Sequence, residues 1–511
     1  MSHKLSLFSG VAIAVFAAQA FAETKLPQAQ DPYFKTAAEQ LAQRMALVPN
    51  TGKAKNVILM IGDGMGIPMI TASRIFDGEK KKIDGVSNKL AFETLPYSAF
   101  SRTYSADAQV TDSAPSATAM TTGVKTRNDV LGLNSDAKFG DCAGSKGKEL
   151  LTIFEMAEMA GKATGAVTTT RITHATPAAT YAYAHTPHRD WENDAQVGEA
   201  GKGCKDIADQ LVNWPFGDGM EVAMGGGRSN FLTVETPDPI DEGKMGERKD
   251  QRDLTKEWIA KGNNHVVVYD QAGFNAIDLK SGPKILGLFE RSHMLYEYDR
   301  PKAKKGEPSL AEMSKLAIDR LSQNKEGYVL MIEGGRIDHA EHEGHAGVAM
   351  NETLMFNEAV KVVLANTDTK DTLVIVTADH SHTMTIAGYP KRDNPILGVV
   401  VGVDGKKTLA ADGKPYTTLN FANGPGGLFP VLEKGQTLAD AKAPVTRPDI
   451  SDVDTESVAY LQQAGVPLAS ETHGGEDVAI YASGPMAHLF GGTVDEQYIY
   501  HVMSAASGLG K

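Results

Sequence analysis

Three apolar runs in this chain each stop on an acidic residue: Asn56-Val-Ile-Leu-Met-Ile-Gly-Asp63, Tyr328-Val-Leu-Met-Ile-Glu333 and Thr372-Leu-Val-Ile-Val-Thr-Ala-Asp379. Short continuous apolar runs rich in β-branched residues read as strands buried on both faces, the pattern of a parallel α/β sheet. Sites in such sheets lie at the carboxyl ends of the strands. If the three strands are neighbours, Asp63, Glu333 and Asp379 gather at one edge, where their charges repel unless cations sit between them. A cluster of divalent metal ions is the simplest resolution.

The histidines point to the kind of metal. His380 follows Asp379 directly, His382 lies two residues further, and Asp338-His339-Ala340-Glu341-His342 begins five residues after Glu333. Imidazole mixed with carboxylate suits zinc, whereas a position lined only by oxygen suits magnesium.

The chain has 511 residues, 41% hydrophobic and 23% charged, enough for one extended α/β domain or two smaller ones. Its N-terminus reads as a secretory signal peptide over residues 1–22: Lys4, an apolar stretch from Leu5 to Ala18, and Ala20-Phe21-Ala22 before Glu23. The apolar stretch is short for a membrane span of about 20 residues, so no span is expected once the signal is removed. Export makes Cys142 and Cys204 candidates for a disulfide, with two buried thiols as the alternative. The net charge of −13, with no basic stripe, argues against nucleic-acid binding.

Along the chain, Asp31 to Val48 reads as an amphipathic helix, and another starts between Pro68 and Phe76. Leu150 to Ala163 is expected to be helical and Gly165 to Thr170 a strand. Further on come a helix at Asp206–Leu211 and strands at Glu221–Met224, Val266–Tyr269, Lys284–Phe289 and Val478–Ala482. Ser309 is the expected N-cap of a helix, with Glu312 three residues later, and Asn351–Leu364 is a second such helix. From Gly388 to about Asp454 the texture turns to Pro, Gly, Lys, Asp and Thr; this region reads as an insertion that caps the site or makes a subunit contact, or as an exposed loop.

For a nucleophile the chain offers Ser113, in Asp112-Ser113-Ala114-Pro115-Ser116-Ala117-Thr118-Ala119. Pro115 suits a first helical turn, which puts Ser113 near a helix N-terminus, where backbone N–H groups favour an anion. A serine beside an aspartate is, taken alone, more often just a cap.

Together with Ile61-Gly62-Asp63-Gly64-Met65-Gly66, Glu333-Gly-Gly-Arg-Ile-Asp338-His-x-x-His342, Thr377-Ala-Asp379-His380-Ser-His382 and His473-Gly-Gly-Glu-Asp, this run resembles the alkaline phosphatases, in order from about Asn56 to about Gly492. The resemblance implies an α/β fold with a large, mostly parallel central sheet flanked by helices on both faces and a crown-like insertion, as a single domain over residues 23–511 with the inserted region at about 388–454. It implies two zinc ions and one magnesium ion. By motif, Asp338, His342 and His473 would hold the first zinc, Asp63, Asp379 and His380 the second, and Asp63, Glu333 and Thr176 the magnesium.

Ser113 would then attack phosphorus to give a phosphoserine, with Arg189 gripping the phosphate; Arg171 is the rival, because Arg189 comes late after Thr176. Asp112, His174 and His382 would support these groups, and His174 stands where some bacterial relatives carry aspartate. His265, His293 and His488 fit no ligand spacing and read as structural. The expected substrates are small phosphate monoesters, the expected assembly a homodimer, and the expected location periplasmic or extracellular. A sulfatase is disfavoured because Ala117 stands where its motif needs arginine. A related phosphodiesterase and a non-catalytic zinc or phosphate binder are the remaining rivals.

Overall fold

A computed structural model of the chain describes residues 26–182, 188–198, 201, 203–303, 306–427 and 447–510. The expected signal peptide, residues 1–22, lies outside the described residues, as do residues 428–446 of the expected insertion. The chain divides into two compact units, the first ending at Val48 and the second running from Pro49. In the first, Asp31 caps the helix Pro32–Met45, its Oδ1 accepting the N–H of Tyr33 at 2.8 Å. The helix thus begins one residue after the expected start and ends three before the expected end.

The second unit is built on a ten-stranded sheet. Across it the strands run Thr493–Asp495, Tyr97–Arg102, Val478–Ser483, Thr372–Thr377, Asn56–Gly62, Tyr328–Gly334, Ala163–Arg171, Val222–Gly226, Lys284–Leu288 and His265–Val268. Only Val478–Ser483 runs antiparallel to its neighbours. The three acid-tipped runs are adjacent, with Asn56–Gly62 in the middle: Ile61 lies opposite Glu333 on one side and Thr377 on the other.

Both faces of the sheet are covered, which is why these strands are apolar without alternation. Ile58 and Met60 point into one core with the helices Ile67–Lys81, Leu310–Leu321 and Ala346–Ala365. Val57, Leu59 and Ile61 point into the other with the helices Ser113–Thr122, Ile153–Met159, Ile207–Val212 and Tyr498–Ser507. Each such side chain taken fully out of water contributes roughly 1.5–3 kcal/mol. Among the described residues no helix is long and apolar enough to cross a membrane.

The capping box at Ser309 forms in both directions: Ser309 Oγ accepts the N–H of Glu312 at 3.2 Å, and Glu312 Oε2 accepts the N–H of Ser309 at 2.8 Å. The helix expected over 150–163 is shorter, Ile153–Met159. A capping box between Thr152 and Glu155 fixes its start, and Gly161, at φ 74°, turns the chain into the strand that begins at Ala163. Leu151, which precedes the helix, and Met159, its last residue, are exposed. The described part of the 388–454 region is not loose: Leu419–Gly424 pairs with Met384–Ile386 and Ala464–Pro467 in a three-stranded sheet, and Val399 bridges to Thr417.

Cys142 and Cys204 form a disulfide packed against Trp191 and Val197.

Candidate metal centre

The carboxyl ends of the central strands collect three overlapping groups of possible metal ligands: Asp338, His342, His382 and His473; Asp63, Asp338 and His380, with Asp379 beside them; and Asp63, His174 and Glu333. In the first, Asp338 Oδ1, His342 Nε2 and His473 Nε2 converge: the two nitrogens are 3.1 Å apart, and they lie 3.2 and 3.3 Å from the oxygen. Asp338 and His342 are one turn apart on the helix Arg336–His342, so they share a face. His342 donates its Nδ1–H to the carbonyl of Glu471 at 2.5 Å, and His473 donates its Nδ1–H to the carbonyl of Thr111 at 2.8 Å. Both imidazoles are thereby fixed in the tautomer whose Nε2 lone pair faces the centre, the arrangement that metal-ligating histidines need.

In the second group, His380 Nε2 lies 3.3 Å from Asp63 Oδ1, 3.4 Å from Asp379 Oδ2 and 3.3 Å from Ser113 Oγ. Asp379 is aimed by its other oxygen, which accepts the N–H groups of Gly64 and His380, both at 3.0 Å. Gly64 has φ 71°, and a β-carbon there would come within 2.5 Å of the His382 ring. The glycine turn after the first strand is therefore a requirement of the site, since only glycine lets the backbone pass so close.

The third group is Asp63, Glu333 and His174. Both carboxylate oxygens of Asp63, Oε1 of Glu333, Oγ1 of Thr176 and Nδ1 of His174 are buried with no hydrogen-bond partner. Orphaned buried polar atoms are costly, and two carboxylates with one imidazole, brought within 4.8 Å of one another, fit a divalent cation. Glu333 Oε2 is held by the hydroxyls of Thr168 and, at 3.2 Å, Thr170.

The electrostatics carry the same signature. Burial, then the charges of Asp379, Asp338 and Glu333, push Asp63 well above the usual carboxylate range. Burial is also the main cause that raises Glu333 to about 7. His380 is driven well below its ordinary value by burial and by His473, which keeps its imidazole neutral as a ligand must be. At Asp338 the pattern reverses: burial is outweighed by His342, with hydrogen bonds from His382 and His473, which hold its carboxyl well below the usual range, so the carboxylates that resist ionisation are those around Asp63.

Ser113 is the first residue of the helix Ser113–Thr122, and Asp112 caps it, Oδ1 accepting the N–H of Ala114 at 2.9 Å. The same Oδ1 lies 3.3 Å from a terminal nitrogen of Arg189. Arg171, the rival, is engaged elsewhere: its Nε donates to both oxygens of Glu192 at 2.9 and 2.8 Å, and another nitrogen abuts His293. His382 donates from Nε2 to Asp338 Oδ1 at 2.8 Å, beside the first group.

Several neighbours escaped sequence reasoning. Glu471 contacts both His342 and His382. Its signal was its place two residues before His473, which puts the pair on one side of an extended segment. Thr168 and Thr170 are likewise two apart on a strand, with Thr168 in register with Glu333. His293, read as structural, stands with its ring centroid 5.3 Å from that of His174 and 4.1 Å from that of His339.

Comparison with known proteins agrees with this geometry. The family model described as alkaline phosphatase matches residues 54–509. The chain is 41% identical over 470 residues to the tissue-nonspecific alkaline phosphatase isozyme of Gallus gallus, covering 90% of this chain and 86% of that protein. It is 40% identical to the alkaline phosphatase of Gadus morhua, covering 90% and 93%. Among solved structures, the alkaline phosphatase of Thermus thermophilus superposes with a TM-score of 0.62 at 25% identity, covering 91% of this chain and 93% of that one. A histidine-to-aspartate variant of the alkaline phosphatase from the Antarctic bacterium TAB5, described with Mg bound in its M3 site, shares the fold at a TM-score of 0.58 and 23% identity.

These matches place the chain among the phosphoric monoester hydrolases. Within that class it belongs to the alkaline phosphatase family, whose members depend on metal ions.

Proposed function

We propose that this phosphatase works in two steps through a phosphoserine at Ser113. Asp338, His342 and His473 would hold one zinc ion, Asp63, Asp379 and His380 a second, and Asp63, Glu333 and Thr176 a magnesium ion. The observation that carries the reading is the position of Ser113 Oγ, 3.3 Å from His380 Nε2 of the second ligand set, at the start of a helix. When bound, the ions would supply positive charge to the phosphate oxygens and ease the ionisation of hydroxyl and water.

The chain's own residues do the rest. Ser113 Oγ gives up its proton and attacks phosphorus; the bond to serine forms as the bond to the alcohol oxygen breaks, and that oxygen takes a proton. Water then attacks the phosphoserine, which restores the serine hydroxyl and releases inorganic phosphate. Arg189, braced by Asp112, offers its guanidinium fork to two phosphate oxygens, which positions the group for in-line transfer. Backbone N–H groups of the helix Ser113–Thr122 add to the same charge balance.

The chain is further proposed to act outside the cytoplasm as a homodimer, on the strength of the signal-like N-terminus, the Cys142–Cys204 disulfide and the family resemblance. Fractionation of cells expressing the full chain, and light scattering of the purified protein, test these two points.

The test of function is hydrolysis of a chromogenic aryl phosphate at alkaline pH before and after chelation, with zinc and magnesium restored singly and together. Full recovery is expected only with both metals, and acid quenching of a turnover mixture should trap phosphate on Ser113. Recovery with magnesium alone would overturn the two-zinc reading.

A further inference from the structure

Glu471 belongs to none of the three ligand groups, yet it is 1% exposed and every polar atom it carries is engaged. Its Oε2 accepts the Nδ1–H of His382 at 2.5 Å. Its Oε1 accepts the N–H of Thr383 at 2.7 Å and the hydroxyl of Thr383 at 2.6 Å. Its backbone N–H donates to the carbonyl of His342 at 2.9 Å, and its own carbonyl receives Nδ1–H from the same histidine at 2.5 Å. The residue therefore grips two of the three imidazoles that meet Asp338 Oδ1, at 2.8 Å from His382 and 3.2 Å from His342, the third being His473 at 3.3 Å.

The local fold makes this grip rigid. His473–Gly474 pairs antiparallel with Ser381–His382, placing His473 opposite His382, and Glu471 enters from the same strand as His473. Three segments distant in sequence are thus tied at one residue: the helix carrying Asp338 and His342, the turn carrying His382, and the strand carrying His473.

Resting on the metallophosphatase reading above, we propose that Glu471 is the positioning residue for the ion held by Asp338, His342 and His473. Its carboxylate orients His382 against Asp338 and its carbonyl orients His342, so the side chain governs how tightly that one ion is held. The position formed by Asp63, Asp379 and His380 makes no contact with Glu471 and keeps its affinity when the side chain is altered.

The test measures zinc binding by chelator competition and the visible spectrum of the cobalt-substituted protein, alongside kcat and KM. Glu471→Gln keeps the shape and an acceptor for Thr383 but loses the carboxylate facing His382. It is expected to weaken one zinc equivalent roughly 10- to 100-fold, the size of effect usual for partners that orient metal ligands, and to leave the other unchanged. The cobalt band of that equivalent shifts, and kcat falls more than KM rises. Thr383→Val removes only the hydroxyl half of the Thr383–Glu471 clip, the backbone N–H remaining, and is expected to leave both equivalents as they were.

A double variant, Glu471→Gln with His382→Asn, should lose no more zinc affinity than His382→Asn alone, because Glu471 acts through that ring. Additive losses, or equal weakening of both equivalents reproduced by Thr383→Val, would overturn the proposal in favour of a purely structural clip. Wild-type protein that binds no zinc would sink the metallophosphatase reading and this inference together, whereas a zinc-replete wild type with an unaffected Glu471→Gln sinks this inference alone.

Discussion

Ser113 owes its placement to a neighbour whose ordinary role is structural. Asp112 caps the helix with one oxygen and meets Arg189 with the same atom, while its other oxygen accepts the N–H of Asp129 at 2.5 Å. Asp112, Ser113 and Arg189, the proposed nucleophile and phosphate fork with the residue between them, are thus fixed relative to one another. Replacing Ser113 with Ala is expected to lower kcat by more than about 10³-fold while zinc content stays at the wild-type level, as metal analysis beside a turnover assay will check. Arg189→Ala should raise KM and weaken inhibition by inorganic phosphate by roughly 10- to 100-fold, with Arg189→Lys restoring only part of it, since a point charge cannot replace a two-pronged donor. Arg171→Ala should leave phosphate inhibition unchanged, because that guanidinium is spent on Glu192; an equal effect from both variants would show that the two arginines share the phosphate.

At the scale of elements, the strands were legible because continuous apolar runs, adjacent in the sheet and buried on both faces, leave little choice of structure. Their acidic tips were legible for the same reason: a carboxylate in the last residues of a parallel strand, as Glu333 is, or just past it, as Asp63 and Asp379 are, has one end of the sheet to occupy. The helix over 150–163 was read too long because apolar spacing says nothing of where a capping box begins, and Thr152 with Glu155 decided it. Glu471, Thr168 and Thr170 stayed hidden because their partners His382 and Glu333 reach them only through strand register, which local pattern does not encode. Truncating Leu330, fully buried in the strand that carries Glu333, is expected to cost about 2–5 kcal/mol as Leu330→Ala. Denaturant unfolding of the metal-loaded protein measures it, and a cost under about 1 kcal/mol would mean that the core there collapses around the gap.

Across the whole molecule, buried acids lie far beyond the site. At the opposite end of the sheet, burial and then the charge of Glu221 raise Glu158 to about 8, although Thr164 donates its hydroxyl at 2.6 Å. A carboxyl whose folded value lies above its unfolded one stabilises fully below about 4.5, and that contribution is lost as pH climbs towards 8. Glu158→Gln, which cannot ionise, should therefore gain on the wild type step by step from pH 5 to pH 9 when melting temperatures are compared. A constant difference across that range would show that Glu158 is already charged in the folded protein.

One pairing described above also sets the order of events in making the enzyme. His473 is locked to Thr111 across 362 residues, and the antiparallel strand Val478–Ser483 wedges between Tyr97–Arg102 and Thr372–Thr377. A chain leaving the ribosome has thus extruded nearly its whole length before that wedge arrives. Until then Tyr97–Arg102 has nothing to join it to the rest of the sheet, and Asp338 lacks its partner His473. The ligand group of Asp338, His342 and His473 is consequently completed only when nearly the whole chain has been made, and a message that ends before His473 yields a chain lacking that ligand while Asp63, Asp379 and His380 are already present.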